Sequence, residues 1–310
     1  MELELNKKYE LVAKVVYFNT GDSFKNCTVE TEDGTQLNIK LNAINEKIVI
    51  GNVYLFKTTA IQKKENELAL FCNLVLPLEN NVSVDEYIRY LNVFFNSAPM
   101  KITAIKEEIE KYLNKITNPV LKKICRSIYK TEIANFYLFP AGKTFHHAYI
   151  GGLSYHTLSM LKASDAYIKI YPILNKDLVY AGIILHDICK TKEYSRPGGD
   201  FSVVGHLIGH LTMGTNLIHL TAFRLGLLEK EEVLLLEHIV VSHHGITSFG
   251  SLKKPQIPEA LLIWYLDTID TKFSELNIEI AKTNEGEFTD SIPAIDKTRF
   301  YKSKITKEEK

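Results

Sequence analysis

The sequence predicts a multi-domain chain of α and β class: a small N-terminal β-barrel, then an all-α helical bundle. Three observations carry this. Before residue 80, apolar and polar residues alternate in five short runs, the period of a half-buried strand. From residue 81 the period changes to i, i+3, i+4, i+7, that of an amphipathic helix. All 10 histidines lie between residues 146 and 244, on or beside apolar helical runs, which suggests one polar centre inside the bundle.

The five runs are Tyr9–Phe18, Asn26–Glu32, Gln36–Leu41, Val53–Ile61 and Glu67–Leu76. Turn signals separate them at Thr20-Gly21-Asp22, Asp33-Gly34, Gly51-Asn52 and Lys63–Asn66. Such a series suits a Greek-key barrel of the OB type, and an SH3-like barrel would leave the same pattern. OB barrels often hold single-stranded nucleic acid on aromatic platforms. Tyr17, Phe18, Phe24, Tyr54 and Phe56 are the candidates, each with a plainer reading as a core residue. Residues 1–80 hold 9 lysines and no arginine against 11 acidic residues, which argues against a strong electrostatic grip on a phosphate backbone.

Three helices are expected over residues 81–140, punctuated by Pro99, Pro119 and Pro140. Residues 81–150 carry 10 Lys and Arg against 6 Asp and Glu, with the excess around Lys115, Lys122, Lys123, Arg126 and Lys130. A solvated polar face explains this; a lip that guides a phosphate backbone is the functional reading. Beyond, His156 opens an amphipathic helix, and an apolar run ends in His186-Asp187. His206 and His210, four apart, are expected to face the same way on one helix. A further apolar helix carries His238 and ends in His243-His244. The last apolar helix bears Asp267 and Asp270 on one side.

An imidazole beside a carboxylate at the end of a buried helix is costly unless something pairs with both. A single such dipeptide reads as a solvated helix end, but the other histidines change that. Mixed His and Asp donors without Cys suit a hydrolytic divalent-metal site better than structural zinc. Lys190, three residues past Asp187, adds a cation suited to a phosphate ester.

The balance of the chain narrows the options. Apolar residues make up 45% and charged residues 24%, with 37 basic against 37 acidic side chains, so nothing global marks a polyanion binder. No apolar run approaches the ~18 residues of a membrane span, and the N-terminus is unlike a signal peptide. Four scattered cysteines without a CxxC fit reduced thiols. A cytoplasmic protein with no membrane partner is expected.

The order His156, His186-Asp187, His210, His243-His244, Asp267 resembles the HD-domain metal-dependent phosphohydrolases, in particular their dinuclear branch. The barrel, the stretches FYLFPAGKTFHHAYIGGLSYHT, AGIILHDICK, VGHLIGH, SHHG and EALLIWYLDTID, and a late RFYK resemble the YhaM-type 3′–5′ exoribonucleases over nearly the whole chain. The resemblance implies an OB-like nucleic-acid-binding barrel at 1–80, a helical linker region at 81–140 packing on an HD domain at 141–280, and a C-terminal strap at 281–310. It implies His156, His186, Asp187 and Asp267 as core metal ligands, with Asp187 bridging two metals. His210, His243 and His244 would complete the second position, and Lys190 would meet the phosphate. His147, His238 and Asp270 are left as substrate contacts or orienting groups, with His238 an alternative to one member of the pair. Cys189 stands where such motifs have glycine, and its thiol is expected to make the site sensitive to oxidation. Manganese is the expected metal, with iron, magnesium, cobalt and zinc as alternatives.

The activity implied is two-metal hydrolysis of single-stranded RNA, extending to single-stranded DNA, from the 3′ end to nucleoside 5′-monophosphates. Two alternatives stand beside it: a phosphodiesterase or nucleotidase acting on cyclic dinucleotides or mononucleotides, and a single-stranded nucleic-acid-binding replication accessory protein. A homo-oligomer is left open.

Overall fold

The computed structural model describes residues 3–21, 24–41, 48–64, 67–95, 97–143, 147–197, 200–246 and 251–305. The chain forms two compact units, Met1–Asn96 and Ser97–Lys310.

The first unit is built on β1 (Lys8–Gly21), β2 (Phe24–Thr31), β3 (Gln36–Leu41), β4 (Val53–Lys64) and β5 (Glu67–Pro77). They close in the order β1-β2-β3-β5-β4, with β4 returning to β1. Only the β3–β5 contact is parallel among these pairings. This is an OB-like barrel. The period-2 pattern turns Ala13, Val15, Cys27, Val29, Tyr54 and Phe56 inward, so two of the five candidate stacking residues, Tyr54 and Phe56, are core. A register shift between Val15 and Tyr17 changes the pattern in β1. Tyr17 is left 59% exposed, while Phe18 packs partly buried against the core. The side chain of Phe24 lies outside the described residues. The helix α1 (Val84–Phe94) begins with a capping box between Ser83 and Glu86 and belongs to this unit, so the helical stretch expected over 81–140 is divided between the two units.

The second unit contains α2 (Ile102–Lys115), α3 (Pro119–Phe136), α4 (Gly152–Ile170), α5 (Lys176–Leu185), α6 (Lys190–Glu193), α7 (Val203–Leu207), α8 (Gly209–Arg224), α9 (Glu231–Ser242) and α10 (Pro258–Lys282). Its centre is α5, buried without interruption from Asp177 to Leu185 and packed by α3, α4, α9 and α10. A helix apolar on every side belongs inside a bundle. At Gly182 a Cβ would come within 2.7 Å of Ile263 Cδ1 and 3.0 Å of Ile239 Cδ1, so glycine lets α9 and α10 close on α5. Residues 288–301 return as paired extended segments through Phe288–Tyr301 and Ile292–Thr298 bridges. Among the described residues no helix is long and apolar enough to cross a membrane.

One expectation fails here. His206 and His210 do not share a helix face, because α7 ends before Gly209, whose φ of 75° breaks the run. His206 is exposed and packs edge-on against Phe201, while His210 is buried at the start of α8.

The start of α5 is pinned at two points. Asn175 caps it by accepting from the Asp177 and Leu178 amides, and the Asn175 amide donates to Glu259 Oε1 at 2.7 Å. Asp177 Oδ2 accepts from the Thr117 amide (2.9 Å), the Thr117 hydroxyl (2.7 Å) and the Asn118 amide (2.6 Å), tying α5 to the α2–α3 turn. Burial alone would raise the Asp177 pKa, but these bonds outweigh it and leave it below the ordinary value. Asp177→Ala is expected to lower unfolding free energy by about 1–3 kcal/mol at pH 7. With the folded pKa depressed, this contribution is complete above the unfolded value of about 3.9 and is lost as pH falls through the folded one. Urea unfolding of wild type and variant at pH 7 and pH 3 should therefore show a gap that narrows in acid; an equal gap at both would contradict the assignment.

Candidate metal centre

Two of the central histidines are set by the ends of their own helices. His186 closes α5 and His243 closes α9, where carbonyls are left without amide partners. His186 Nδ1 donates to the Ile183 carbonyl at 2.7 Å, and His243 Nδ1 to the Val240 carbonyl at 2.8 Å. A carbonyl only accepts, so each Nδ1 carries a proton, and in the neutral ring Nε2 is the nitrogen that keeps its lone pair. The other two are set by carboxylates. His156 Nδ1 lies 2.7 Å from Asp270 Oδ2, and His210 Nδ1 lies 2.9 Å from Glu193 Oε1.

All four rings thereby turn Nε2 toward Asp187. His210 and His243 approach its Oδ1 at 3.3 and 3.5 Å, while His186 and His156 approach its Oδ2 at 3.4 and 4.0 Å. Lys190 Nζ sits 2.7 Å from Oδ2. Asp267 Oδ1 is 3.4 Å from His156 Nε2, and His244 Nε2 is 3.3 Å from His210 Nε2. The two oxygens of one carboxylate thus face two donor sets. One contains His156, His186 and Asp267; the other contains His210, His243 and His244.

The electrostatics of this cluster call for a cation. Asp187 is only 2% exposed. Burial would raise its pKa, yet the Lys190 charge leads the effects that outweigh this and hold it well below the carboxylate range. Burial pushes His243 down to about 3, so its ring is neutral. The lone pair of the neutral His243 ring therefore points at an ionised carboxylate, an arrangement of like partial charges. Nε2 of both His186 and His243, and Oδ1 of Asp187, are buried without a hydrogen-bond partner. Divalent metal satisfies such atoms together, and the donor set fits it. Two groups with ligand atoms within 4.8 Å of one another lie here, His210/His243/His244 and His156/His186/Asp187. A third such group, His147/His156/Asp270, differs: Asp270 Oδ2 is already at hydrogen-bond distance, 2.7 Å, from both His147 Nε2 and His156 Nδ1. Asp270 orients its neighbours, and His147, buried with φ at 50°, is held against it and against the Tyr149 hydroxyl.

The remaining sequence candidates fall elsewhere. His238 Nε2 accepts from the Gln256 amide at 2.9 Å and is in none of the three groups. Arg126 bonds Asn114 Oδ1 at 2.7 Å, and Lys122 reaches the Asn114 carbonyl at 3.5 Å, so α2 absorbs part of the expected basic lip; Lys123 is exposed. The Cys189 thiol is buried, and burial pushes it up to about 12, the direction of a less reactive thiol. His146 lies outside the described residues. Sequence reasoning missed Glu193. It sits in the charged stretch KTKEY, which by itself reads as a solvated face, and only the fold brings it to His210.

A buried helical cluster of His and Asp around one HD dipeptide defines the HD-domain class of phosphohydrolases. A family model described as the HD domain matches residues 153–272. Three curated relatives are each named 3′–5′ exoribonuclease YhaM. The one from Geobacillus sp. is 39% identical over 210 residues, which is 67% of this chain and 64% of that protein. Those from Bacillus subtilis and Bacillus velezensis are each 35% identical over 72% of this chain, covering 69% and 68% of their own lengths. The chain belongs to the family of the 3′–5′ exoribonuclease YhaM.

Metal removal should be visible in stability. Ligand that binds only the folded chain adds about 2.7 kcal/mol at a free concentration 100 times Kd. Wild type is expected to melt several degrees lower after chelation, and Asp187→Asn should show no such difference; a variant that still responds would place the metal elsewhere. Gly245 follows the histidine pair with φ at 73°, and a Cβ there would come within 1.8 Å of the Trp264 ring. Gly245→Ala is expected to shift the emission of Trp264, the single tryptophan, and to weaken metal binding; unchanged emission would show that the turn absorbs the methyl group.

Proposed function

We propose that the chain is a metal-dependent 3′–5′ exoribonuclease that releases nucleoside 5′-monophosphates from single-stranded RNA, with single-stranded DNA as a secondary substrate. The observation that carries this reading is the buried Asp187 carboxylate, with one oxygen toward each of two histidine-bearing donor sets. The two sets, with Asp187 between them, would hold two divalent ions. One would be held by His156, His186 and Asp267, the other by His210, His243 and His244. Manganese suits this mix of imidazole and carboxylate, as do iron, cobalt, zinc and magnesium.

Bound metal supplies Lewis acidity toward both water and the phosphodiester. The chain supplies the rest. Asp187 spans the two donor sets. Lys190, fixed at 2.7 Å from Asp187 and buried, adds a positive charge that stabilises negative charge developing on the phosphate. Hydrogen bonds at Nδ1 of His156, His186, His210 and His243 keep those rings from turning, so their donor geometry is set before substrate arrives. The OB-like barrel supports a polymeric substrate, since a hydrolase of small nucleotides has no need of one. Exposed Tyr17 is the barrel aromatic best suited to meet a base. The complete donor set weighs against a binding protein with a degenerate site.

The test is a 5′-labelled single-stranded RNA incubated with the protein and Mn²⁺, beside Asp187→Ala and a matching DNA. A ladder shortening from the 3′ end, absent in the variant and slower on DNA, is expected. Intact RNA that is nonetheless bound would overturn the enzymatic reading, and intact unbound RNA would move the substrate to small nucleotides.

A further inference from the structure

We infer that Glu193 is a positioning residue that fixes His210 as a donor for one of the two metal positions. The inference rests on the two-metal reading above and concerns a residue that carries no ligand atom itself. Glu193 is buried, and its Oε1 serves a single partner twice: His210 Nδ1 at 2.9 Å and the His210 amide at 3.0 Å. Two bonds to one residue fix both the place of the backbone and the plane of the ring. His186 and His243 lean on neutral carbonyls, whereas His210 leans on a full negative charge. A carboxylate on Nδ1–H makes Nε2 the more basic donor.

The surrounding backbone is shaped to keep Glu193 there. The Ser202 amide donates to the Glu193 carbonyl at 2.8 Å. A Cβ at Gly205 would come within 2.1 Å of that same carbonyl, so α7 can lie against Glu193 only with glycine at this position. Gly209, left-handed, then turns the chain so that His210 enters the first turn of α8 with its amide unused by the helix. Glu193 consequently has a second, structural role as a cap on α8, and the test must separate the two.

Glu193→Gln keeps an acceptor oxygen for the cap and removes the charge, while Glu193→Ala removes both. The full-length chain is titrated with Mn²⁺, bound ion is followed by electron paramagnetic resonance, and the melting temperature is measured after chelation. Wild type is expected to bind two ions. In Glu193→Gln one dissociation constant should rise about 10-fold, with the other constant and the metal-free melting temperature unchanged. In Glu193→Ala the same constant should rise toward about 100-fold, with a lower melting temperature from the lost cap. His210→Ala should weaken that same constant. Glu193→Gln with both constants unchanged, or with both raised by the same factor, would overturn the assignment and leave Glu193 a cap. A wild-type chain that binds fewer than two ions would overturn the two-metal reading and this inference with it.

Discussion

A carboxylate buried among four imidazole rings governs the helical unit. Asp187 is ionised, almost fully enclosed and approached by four Nε2 atoms within 4.0 Å, two of them on rings whose Nδ1 protons are committed to backbone carbonyls. In a medium of low polarisability such a cluster is stable only with positive charge at its centre. Lys190 supplies one charge from within the chain, on the Oδ2 side. The Oδ1 side, toward His210 and His243, lacks an equivalent ammonium among the described contacts, and there the need for a metal is greatest.

The rest of the fold can be understood as support for that centre. Helix α5 is sealed on all sides, anchored at its start by Asp177 and Asn175, and admits α9 and α10 closely at Gly182. Its last residues therefore have little freedom. The helix ends also serve a second purpose, since carbonyls that a helix leaves unbonded at its C-terminus orient the imidazoles that follow. One structural by-product of ending a helix is thus used to fix a tautomer, which is why the two histidines need no separate carboxylate. His156 and His210 lie near the beginnings of their helices, where no such carbonyl is at hand, and they rely on Asp270 and Glu193 instead.

The first unit follows a different logic. Its stability comes from alternation, with Val15, Val29, Tyr54 and Phe56 filling the barrel. That same demand removes aromatics from the set of nucleic-acid contacts, since a ring that fills the core is not available to stack on a base. Tyr17 escapes because the bulge in β1 breaks the alternation at that point. A bulge is a local device that re-aims a side chain without loss of the surrounding ladder.

The five strands and the long helices were legible in the sequence because each depends on a repeat of a few residues: two for β4, between three and four for α10. The clustered polar residues His156, His186, Asp187, His210, His243, His244 and Asp267 were conspicuous too, as polar groups on apolar helices, although their order reached a name only through resemblance. What the repeat does not contain is where a helix stops short. Gly209 broke the helix assumed to join His206 to His210, separating an exposed ring from a buried one. Nor does a local pattern distinguish a charge facing water from one facing a histidine seventeen residues away, so Glu193 drew no notice, and the contacts of Arg126 and Lys122 with Asn114 were not foreseen. Sequence alone determined the elements and the donor types, because these follow from local periodicity and side-chain chemistry. Tertiary structure decided which nitrogen faces which oxygen, because that depends on groups distant in the chain meeting across a packed interior.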